Sequence, residues 1–310
     1  MVDADPPAVR PVVAVVGATA TGKSDLAVAL ARALDGEVVN ADASQLYRGM
    51  DVGTAKLAAD RRQGVPHHLL DVLDVRAEAS AAAYQRAARA AFDDVRSRGR
   101  VPVLVGGSGL YVRAALDTLD FPGTDPDVRA RLEREAEEVG GAALHGRLAV
   151  ADPVAAAAIQ PTNVRRVVRA LEAIEVTGRP FSATLPTHTY AVPAVQVGLA
   201  LPRALLDERI AARVDAMWRD GLVEEVRRLV DAGLRDGRTA SRALGYAQVL
   251  AFLGGTGTEA EARGDTVRGT RRFARRQESW FRRDPRVVWL DAQADDVVEQ
   301  ALAAVAEAGP

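Results

Sequence analysis

Short apolar runs alternate along the chain with longer stretches of helical composition. The runs are rich in valine, as is typical of strands buried within a parallel sheet. We predict strands at residues 12–16, 37–40, 101–105, 195–201 and 287–290. We predict helices at residues 25–34, 80–97, 205–233 and 265–283. This alternation indicates an α/β fold with a doubly wound parallel sheet, whose ligands should bind at the carboxyl ends of the strands.

Residues 121–189 depart from the alternation of strands and helices. Asp125 can cap a helix that has Pro126 at its first position, and further helical stretches follow without an intervening strand pattern. We therefore predict a helical insertion domain at 121–189. The P-loop catalytic core and a basic C-terminal helix would be formed by residues 1–120 and 190–310.

The composition is that of a globular protein without disulfides. The 310 residues include no cysteine and four histidines, and the formal net charge is −2. The lack of cysteine excludes a cysteine nucleophile and cysteine-ligated zinc. No apolar run approaches the roughly 20 residues that a membrane helix requires, and the acidic N-terminus is unlike a secretory signal. We expect a cytoplasmic protein with no membrane association and no obligate protein partner, most simply a monomer.

The strongest motif is a phosphate-binding loop, or P-loop. It matches the pattern G-x-x-x-x-G-K-[ST], between a strand and a helix as the motif requires, with the residues Gly17, Ala18, Thr19, Ala20, Thr21, Gly22, Lys23 and Ser24. Its backbone N–H groups can surround a diphosphate, to which Lys23 and the helix N-terminus add positive charge. The Ser24 hydroxyl can ligate Mg²⁺, so we predict a bound diphosphate and a Mg²⁺ cofactor.

The usual partner of a P-loop in γ-phosphoryl transfer is an aspartate at the end of a hydrophobic strand, where it holds the metal. The hydrophobic strand at 101–105 runs into Gly106-Gly107-Ser108 instead. Asp42 does end a strand, in a polar segment that suits a substrate site, although such an aspartate is more often a turn former. A P-loop kinase and a regulatory ATPase therefore remain alternatives, weakened by the missing aspartate.

Arginines and aromatic residues are interleaved near the end of the chain. At helical spacing, one side of residues 268–283 carries Arg268, Arg272, Arg275, Arg276 and Arg283, while Phe273, Trp280 and Phe281 supply apolar area. This pattern fits a solvated basic face, or a surface that binds nucleic acid. Because a phosphate-binding motif accompanies it, we favour the nucleic-acid surface.

Together these residues resemble the tRNA dimethylallyltransferase (isopentenylpyrophosphate transferase) family along nearly the whole chain. The ordered blocks that carry the resemblance begin at Gly17, Asn40, Val65, Val105, Asn163, Gly221, Ala243 and Thr270. The family usually has proline at Ala18 and serine at Ala43, and neither departure removes a charged group.

The resemblance implies a function and roles for particular residues. The P-loop would hold dimethylallyl diphosphate, and Asp42 would act as the general base for N6 of adenine 37 in the tRNA anticodon loop. Thr19 would polarise the bridging oxygen, and Arg213 would reach the pyrophosphate. The adenine would have to be flipped into the site. A prenyltransferase acting on free adenine nucleotides is a further alternative.

The resemblance also implies contacts with tRNA. The residues assigned to them are Asp42, Ala43, Ser44, Gln45, Ser108, Arg129, Arg165, Arg166, Arg169, Arg272, Arg275, Arg276 and Gln277.

Overall fold

In a computed structural model, a sheet of six parallel strands lies within the described residues, 10–184 and 188–308. The N-terminal segment considered above lies outside these ranges. The strands are β1 (Val12–Gly17), β2 (Gly36–Asn40), β3 (His67–His68), β4 (Val101–Gly106), β5 (Ala194–Ala200) and β6 (Val287–Asp291). Their order in the sheet is β3-β2-β4-β1-β5-β6. The predicted α/β fold with a parallel sheet is confirmed, and β3 is an added edge strand too short and too polar to stand out in the sequence.

Helices follow most of the strands. In chain order they are α1 (Lys23–Ala33), α2 (Ala81–Ser97), α3 (Gly109–Leu116), α4 (Pro126–Val139), α5 (Gly141–Ala151), α6 (Pro153–Ala158), α7 (Val164–Thr177), α8 (Arg203–Arg219), α9 (Leu222–Asp231), α10 (Tyr246–Leu253), α11 (Glu259–Phe281) and α12 (Val297–Glu307).

Two of the predicted helices differ from the structure. The single helix expected at 205–233 is wrong, because Gly221 takes φ 93° and separates α8 from α9. The helix expected at 265–283 begins earlier, at Glu259. The Thr258 hydroxyl accepts the Glu261 N–H and the Glu261 carboxylate accepts the Thr258 N–H, which forms a capping box at this start.

The chain packs as two units, Met1–Leu116 with Tyr190–Pro310, and Asp117–Thr189. The smaller unit contains α4 to α7, packed around buried Leu132, Leu148 and Val167. Its first helix starts as predicted, since the Asp125 carboxylate accepts the N–H groups of Asp127 and Val128. None of the helices in the described part of the chain is long and apolar enough to cross a membrane.

In the larger unit, the register of the strands places three loops at the carboxyl end of the sheet. In β1 and β4, Val16 is paired with Gly106, and in β2 and β4, Asn40 is paired with Val105. The loops after β1, β2 and β4 therefore leave the sheet side by side at its carboxyl end, where ligands bind in open parallel sheets. These loops contain the P-loop, Asp42 and Ser108.

A buried carboxylate shapes the loop that follows these elements. Glu225 of α9 accepts the backbone N–H groups of Asp51, Val52 and Gly53 at 3.1, 2.8 and 3.2 Å. It also accepts the Tyr246 hydroxyl at 2.6 Å. These four donors compensate the charge of the buried Glu225 and fix the loop at 51–53.

We predict that Glu225→Ala destabilises the protein by about 3 to 5 kcal/mol, because it leaves buried donors without an acceptor. Tyr246→Phe removes one hydroxyl and should cost about 1 to 2 kcal/mol. Glu224→Ala is the matched control, since the neighbouring Glu224 carboxylate is 59% exposed and should matter by less than about 0.5 kcal/mol. Urea midpoints of the full chain would test the order, and equal midpoints for Glu225→Ala and Glu224→Ala would contradict it.

Candidate active site

The P-loop joins the end of β1 to the start of α1. Gly17 has φ 134°, and a Cβ there would lie 2.8 Å from the Leu199 carbonyl of β5, so only glycine fits without movement. Thr21 Oγ1 and Lys23 Nζ both donate to the Ala18 carbonyl, at 2.9 and 2.5 Å. The lysine ammonium is thus folded back into the loop, where a diphosphate would provide stronger acceptors.

Gln277 of α11 supports this loop from far along the sequence. Its Oε1 accepts the Thr19 N–H at 2.9 Å, and its Nε2 donates to the Gly107 carbonyl at 2.9 Å. The side chain is buried and lies so close to Gly107 that a Cβ on that glycine would be 2.2 Å from Nε2. In the free protein Gln277 therefore joins the P-loop to the loop after β4, and a contact with tRNA would have to use the second N–H or the second lone pair of its amide, or replace these bonds.

Thr19 and Arg213, two of the predicted catalytic residues, meet in the structure. Arg213 of α8 donates from Nη1 to Thr19 Oγ1 at 3.3 Å. Burial lowers the pKa of Arg213, and the nearby Asp25 carboxylate counters part of that effect. The guanidinium is thus a cation withdrawn from water beside the phosphate loop, as stabilisation of an anion requires.

Asp42, the third predicted catalytic residue, lies in a turn just beyond β2. Asn40 brackets it, because its Oδ1 accepts the Asp42 N–H at 3.0 Å and its Nδ2 donates to the Asp42 carbonyl at 3.1 Å. The Asp42 carboxylate accepts the Ser44 N–H at 2.9 Å. Burial raises the pKa of Asp42 despite this hydrogen bond and the attraction of Lys23. A carboxylate held this way is a stronger base than one in water.

The residues after Asp42 are tied to neighbouring loops. The Ala43 N–H donates to Ser108 Oγ at 3.3 Å, and Gln45 Nε2 donates to the Thr54 carbonyl at 3.1 Å. Thr54 directly follows the segment that Glu225 fixes. Asn40 and Glu225 were not predicted as site residues, since their role is to orient other groups. In the sequence, the one signal for these two residues was their position within the blocks that carry the family resemblance.

A cavity of about 670 Å³ opens beside the P-loop lysine. Lys23, Ser24 and Arg213 line it, together with Lys56, Met217 and other residues of 51–62 and α8. It can take a diphosphate with a short apolar chain, because charged groups and apolar walls both face it.

The donors around Ser24 determine what metal this cavity could hold. Within the described residues, no group of three or more histidine, cysteine, aspartate or glutamate side chains is arranged to bind a metal ion. Mg²⁺ commonly keeps several waters and binds through one or two protein ligands together with substrate phosphates. The Ser24 hydroxyl, a half-buried group at the head of α1, fits that mode of binding.

The predicted arginines of α11 are exposed on its surface. Arg272, Arg275 and Arg276 make no ion pair with any residue that the structure describes. By contrast, Arg268 pairs with Asp265, and Arg282 pairs with Glu278 at 3.1 Å. These three arginines therefore keep their full charge for a ligand.

The predicted arginines of the smaller unit also fall into two groups, with and without a carboxylate partner. Arg129 makes a bidentate contact with the fully buried Glu172, at 2.8 to 3.1 Å, and Arg169 contacts the same carboxylate at 3.0 Å. In the free protein these two side chains neutralise an internal charge. Arg165 and Arg166 are exposed and have no ion pair among the described residues of either unit. They are the stronger candidates for contact with tRNA.

The fold and the site define a class of P-loop protein. The Asp42 carboxylate, held by a hydrogen bond, accompanies the phosphate loop, and β4 does not end in the aspartate that γ-phosphoryl transfer uses. The IPP transferase family profile matches residues 45–284. The chain belongs to this family. It is 67% identical over 301 residues to a tRNA dimethylallyltransferase of Thermobifida fusca, covering 96% of this chain and 94% of the relative. It is 65% identical over 294 residues to that of Streptomyces avermitilis, covering 95% and 94%.

Solved structures agree with this assignment. The tRNA isopentenylpyrophosphate transferase of Bacillus halodurans is 40% identical, with a TM-score of 0.70 over 96% of this chain and 98% of that one. A eukaryotic dimethylallyltransferase acting on tRNA is 25% identical, with a TM-score of 0.83 over 96% of this chain and 79% of that one.

The lowered pKa of Lys23 predicts that the affinity for pyrophosphate depends on pH. Burial and the neighbouring Arg213 lower the pKa of Lys23 to about 7, so above that pH the free protein loses this positive charge. A bound diphosphate stabilises the charged form and raises the pKa of Lys23. Affinity for inorganic pyrophosphate should therefore fall as pH rises above about 7, by up to about tenfold per unit.

Lys23→Arg provides the control, because a guanidinium keeps its charge throughout this range. The ratio of parent to variant affinity, measured by calorimetry from pH 6 to 9, also cancels the titration of pyrophosphate itself. A ratio that does not change with pH would contradict the assignment.

Proposed function

We propose that this chain transfers the dimethylallyl group from dimethylallyl diphosphate to N6 of adenine 37 in the anticodon loop of tRNA, with release of pyrophosphate. The observation that carries the proposal is the position of Asp42. Asp42 follows β2 at the carboxyl end of the sheet, where the registers of β1, β2 and β4 also place the P-loop, and burial raises the pKa of its carboxyl. A base is thus held beside the place where a diphosphate leaving group would bind.

The reaction exchanges one bond for another. The N6 nitrogen forms a bond to C1 of the dimethylallyl group as the bond from C1 to the diphosphate oxygen breaks. The electron pair of the broken bond leaves with pyrophosphate, and the N6 proton passes to Asp42. Because an aromatic amine is a weak nucleophile, removal of this proton as the new bond forms is where the carboxylate contributes, commonly 10²- to 10⁴-fold.

Positive charge around the P-loop stabilises the leaving group. Lys23 and Arg213 both line the cavity, and the Arg213 contact orients the Thr19 hydroxyl beside them. Charge on the leaving oxygen grows as its bond to carbon breaks, so these cations bind the transition state more strongly than the ground state. Mg²⁺, held by Ser24 and the phosphates, would supply further charge neutralisation.

The acceptor would reach the site as a flipped base. Adenine stacked in the anticodon loop is out of reach of Asp42, and the unpaired arginines of α11 supply the charge that holds the surrounding phosphates. In the smaller unit, Arg165 and Arg166 add exposed charge. Since tRNA is the acceptor, we place the reaction in the cytoplasm.

Incubation with labelled dimethylallyl diphosphate, with and without tRNA, tests the proposal. We expect label only in tRNA, and nucleoside analysis should place it on N6 of adenine 37. Label in free adenine nucleotides would support a nucleotide prenyltransferase instead. Transfer from γ-labelled ATP in a parallel incubation would support a kinase.

We predict that Asp42→Asn binds tRNA as the parent does but lowers the single-turnover rate by at least about 10²-fold. The base must be ionised, and burial raises its pKa above the ordinary 3.8. The parent rate should therefore rise with pH through a value above 3.8, and that limb should be absent from the variant. An unchanged rate would remove Asp42 from the mechanism.

We further predict that Arg275→Gln together with Arg276→Gln weakens binding of every tRNA substrate and makes it less salt-dependent. Each phosphate contact contributes a slope of about −0.7 to −0.9 in log affinity against log salt, so the slope should flatten by about one to two. Affinity for pyrophosphate should not change.

The matched control replaces two paired arginines, Arg268 within α11 and Arg282 directly after it, as Arg268→Gln with Arg282→Gln. It removes the same charge, but its side chains already have carboxylate partners. If both double variants gave the same salt slope, Arg275 and Arg276 would have no specific role.

A further inference from the structure

One large aromatic side chain of α11 lies at the surface and has no part in the chemistry described above. Trp280 is 40% exposed, whereas its neighbour Phe281 is 2% exposed and belongs to the core. The sequence pattern had grouped both as apolar area. In the structure, only Phe281 of the two is buried in the core.

One edge of the indole packs against the start of α3. A Cβ on Gly109 would lie 2.2 Å from both Cδ1 and Nε1 of Trp280, so the ring edge rests directly on the glycine backbone. Gly109 is the first residue of α3, and a side chain there would displace the ring. An exposed aromatic ring that already packs along one edge can stack on a ligand with little loss of conformational freedom.

Chain neighbours and one hydrogen bond link the residue under the ring to the proposed base, Asp42. Gly109 follows Ser108, whose hydroxyl accepts the Ala43 N–H at 3.3 Å, and Ala43 follows Asp42. The ring therefore packs against the start of α3, directly after the residue that contacts the segment carrying the proposed base.

The surroundings of the ring match nucleic acid. Arg276, one helical turn before Trp280, and Arg283, just past the end of α11, are exposed and have no ion pair among the described residues. Leu110, beside Gly109, is also exposed and extends the apolar area. The Arg276 guanidinium also lies over the Phe273 ring, 5.7 Å from its centroid. An aromatic platform between guanidinium groups that lack carboxylate partners is the arrangement by which proteins bind single-stranded nucleic acid, with bases on the ring and phosphates on the cations.

We propose that Trp280 stacks on an unpaired nucleotide of the anticodon loop next to the flipped adenine. This inference rests on the proposed function, since it takes tRNA as the acceptor. Stacking on a neighbour would fill the gap that the flipped base leaves and hold the loop open.

The test measures affinity for an anticodon stem-loop with Trp280→Leu and Trp280→Phe. Trp280→Leu keeps an apolar side chain but loses the ring and should weaken binding about 5- to 100-fold. Trp280→Phe keeps a smaller ring and should lose less. Trp289→Leu is the control, because Trp289 lies on β6 under the Arg282 guanidinium, 4.9 Å away, and should not affect binding.

A stem-loop with single abasic positions identifies the partner. At the nucleotide that stacks on Trp280, loss of the base and Trp280→Leu should not be additive, since either change removes the same interaction. Pyrophosphate affinity, which depends on the P-loop, reports whether each variant is folded. Additive effects at every loop position, or parent-like affinity for a folded Trp280→Leu, would overturn the inference.

Product formation by the parent separates this inference from the proposed function. If the parent prenylates tRNA while Trp280→Leu binds as tightly as the parent, only the role of Trp280 fails. If the parent does not prenylate tRNA, the proposed function fails and the role of Trp280 fails with it.

Discussion

Positive charge without a hydrogen-bonded carboxylate partner is the constraint around which the phosphate site is arranged. Lys23 donates to a neutral carbonyl, and Arg213 donates to a neutral hydroxyl. Burial lowers the pKa of both, which means that the free protein holds these charges at a cost. A ligand that brings several anionic oxygens removes that cost, so the site favours a diphosphate before any contact with the rest of the donor. The same charges then stabilise the pyrophosphate as it leaves.

This arrangement needs the loops around it to stay fixed, and buried polar side chains do this. Gln277 joins two loops, Asn40 brackets Asp42, and Glu225 gathers three consecutive N–H groups. Each of them satisfies backbone groups that would otherwise lack partners at the edge of the sheet. Because Thr19 and Gln277 are separated by most of the chain, the P-loop gains this hydrogen bond only when α11 is in place. One face of α11 therefore supports the phosphate site, while another carries free arginines.

Local patterns in the sequence predicted the parts of the fold that depend on local structure. The valine-rich strands, the P-loop and the Asp125 cap each have a pattern within a few residues, and the structure has all three. The break at Gly221 was missed because both halves keep an amphipathic pattern that continues across it. The strand β3 was missed because two histidines at a sheet edge have no hydrophobic period. The contact between Thr19 and Arg213 follows only from packing, and the family resemblance had given their roles without their geometry.

Arginine shows why the rest could not be predicted from the sequence. The chain carries 40 lysine and arginine residues against 42 acidic ones, so the total indicates nothing about nucleic acid. What matters is which cations already have carboxylate partners. Some of these pairs are local, such as Arg282 with Glu278, but others join residues far apart in sequence, such as Arg129 with Glu172. Arg129 and Arg169 converge on Glu172, a residue that no local pattern marks as buried. Arg275 and Arg276 have no such partner. A chain with a net charge of −2 can thus present a locally basic surface, because its acidic residues neutralise some arginines and leave others free for the phosphates of RNA.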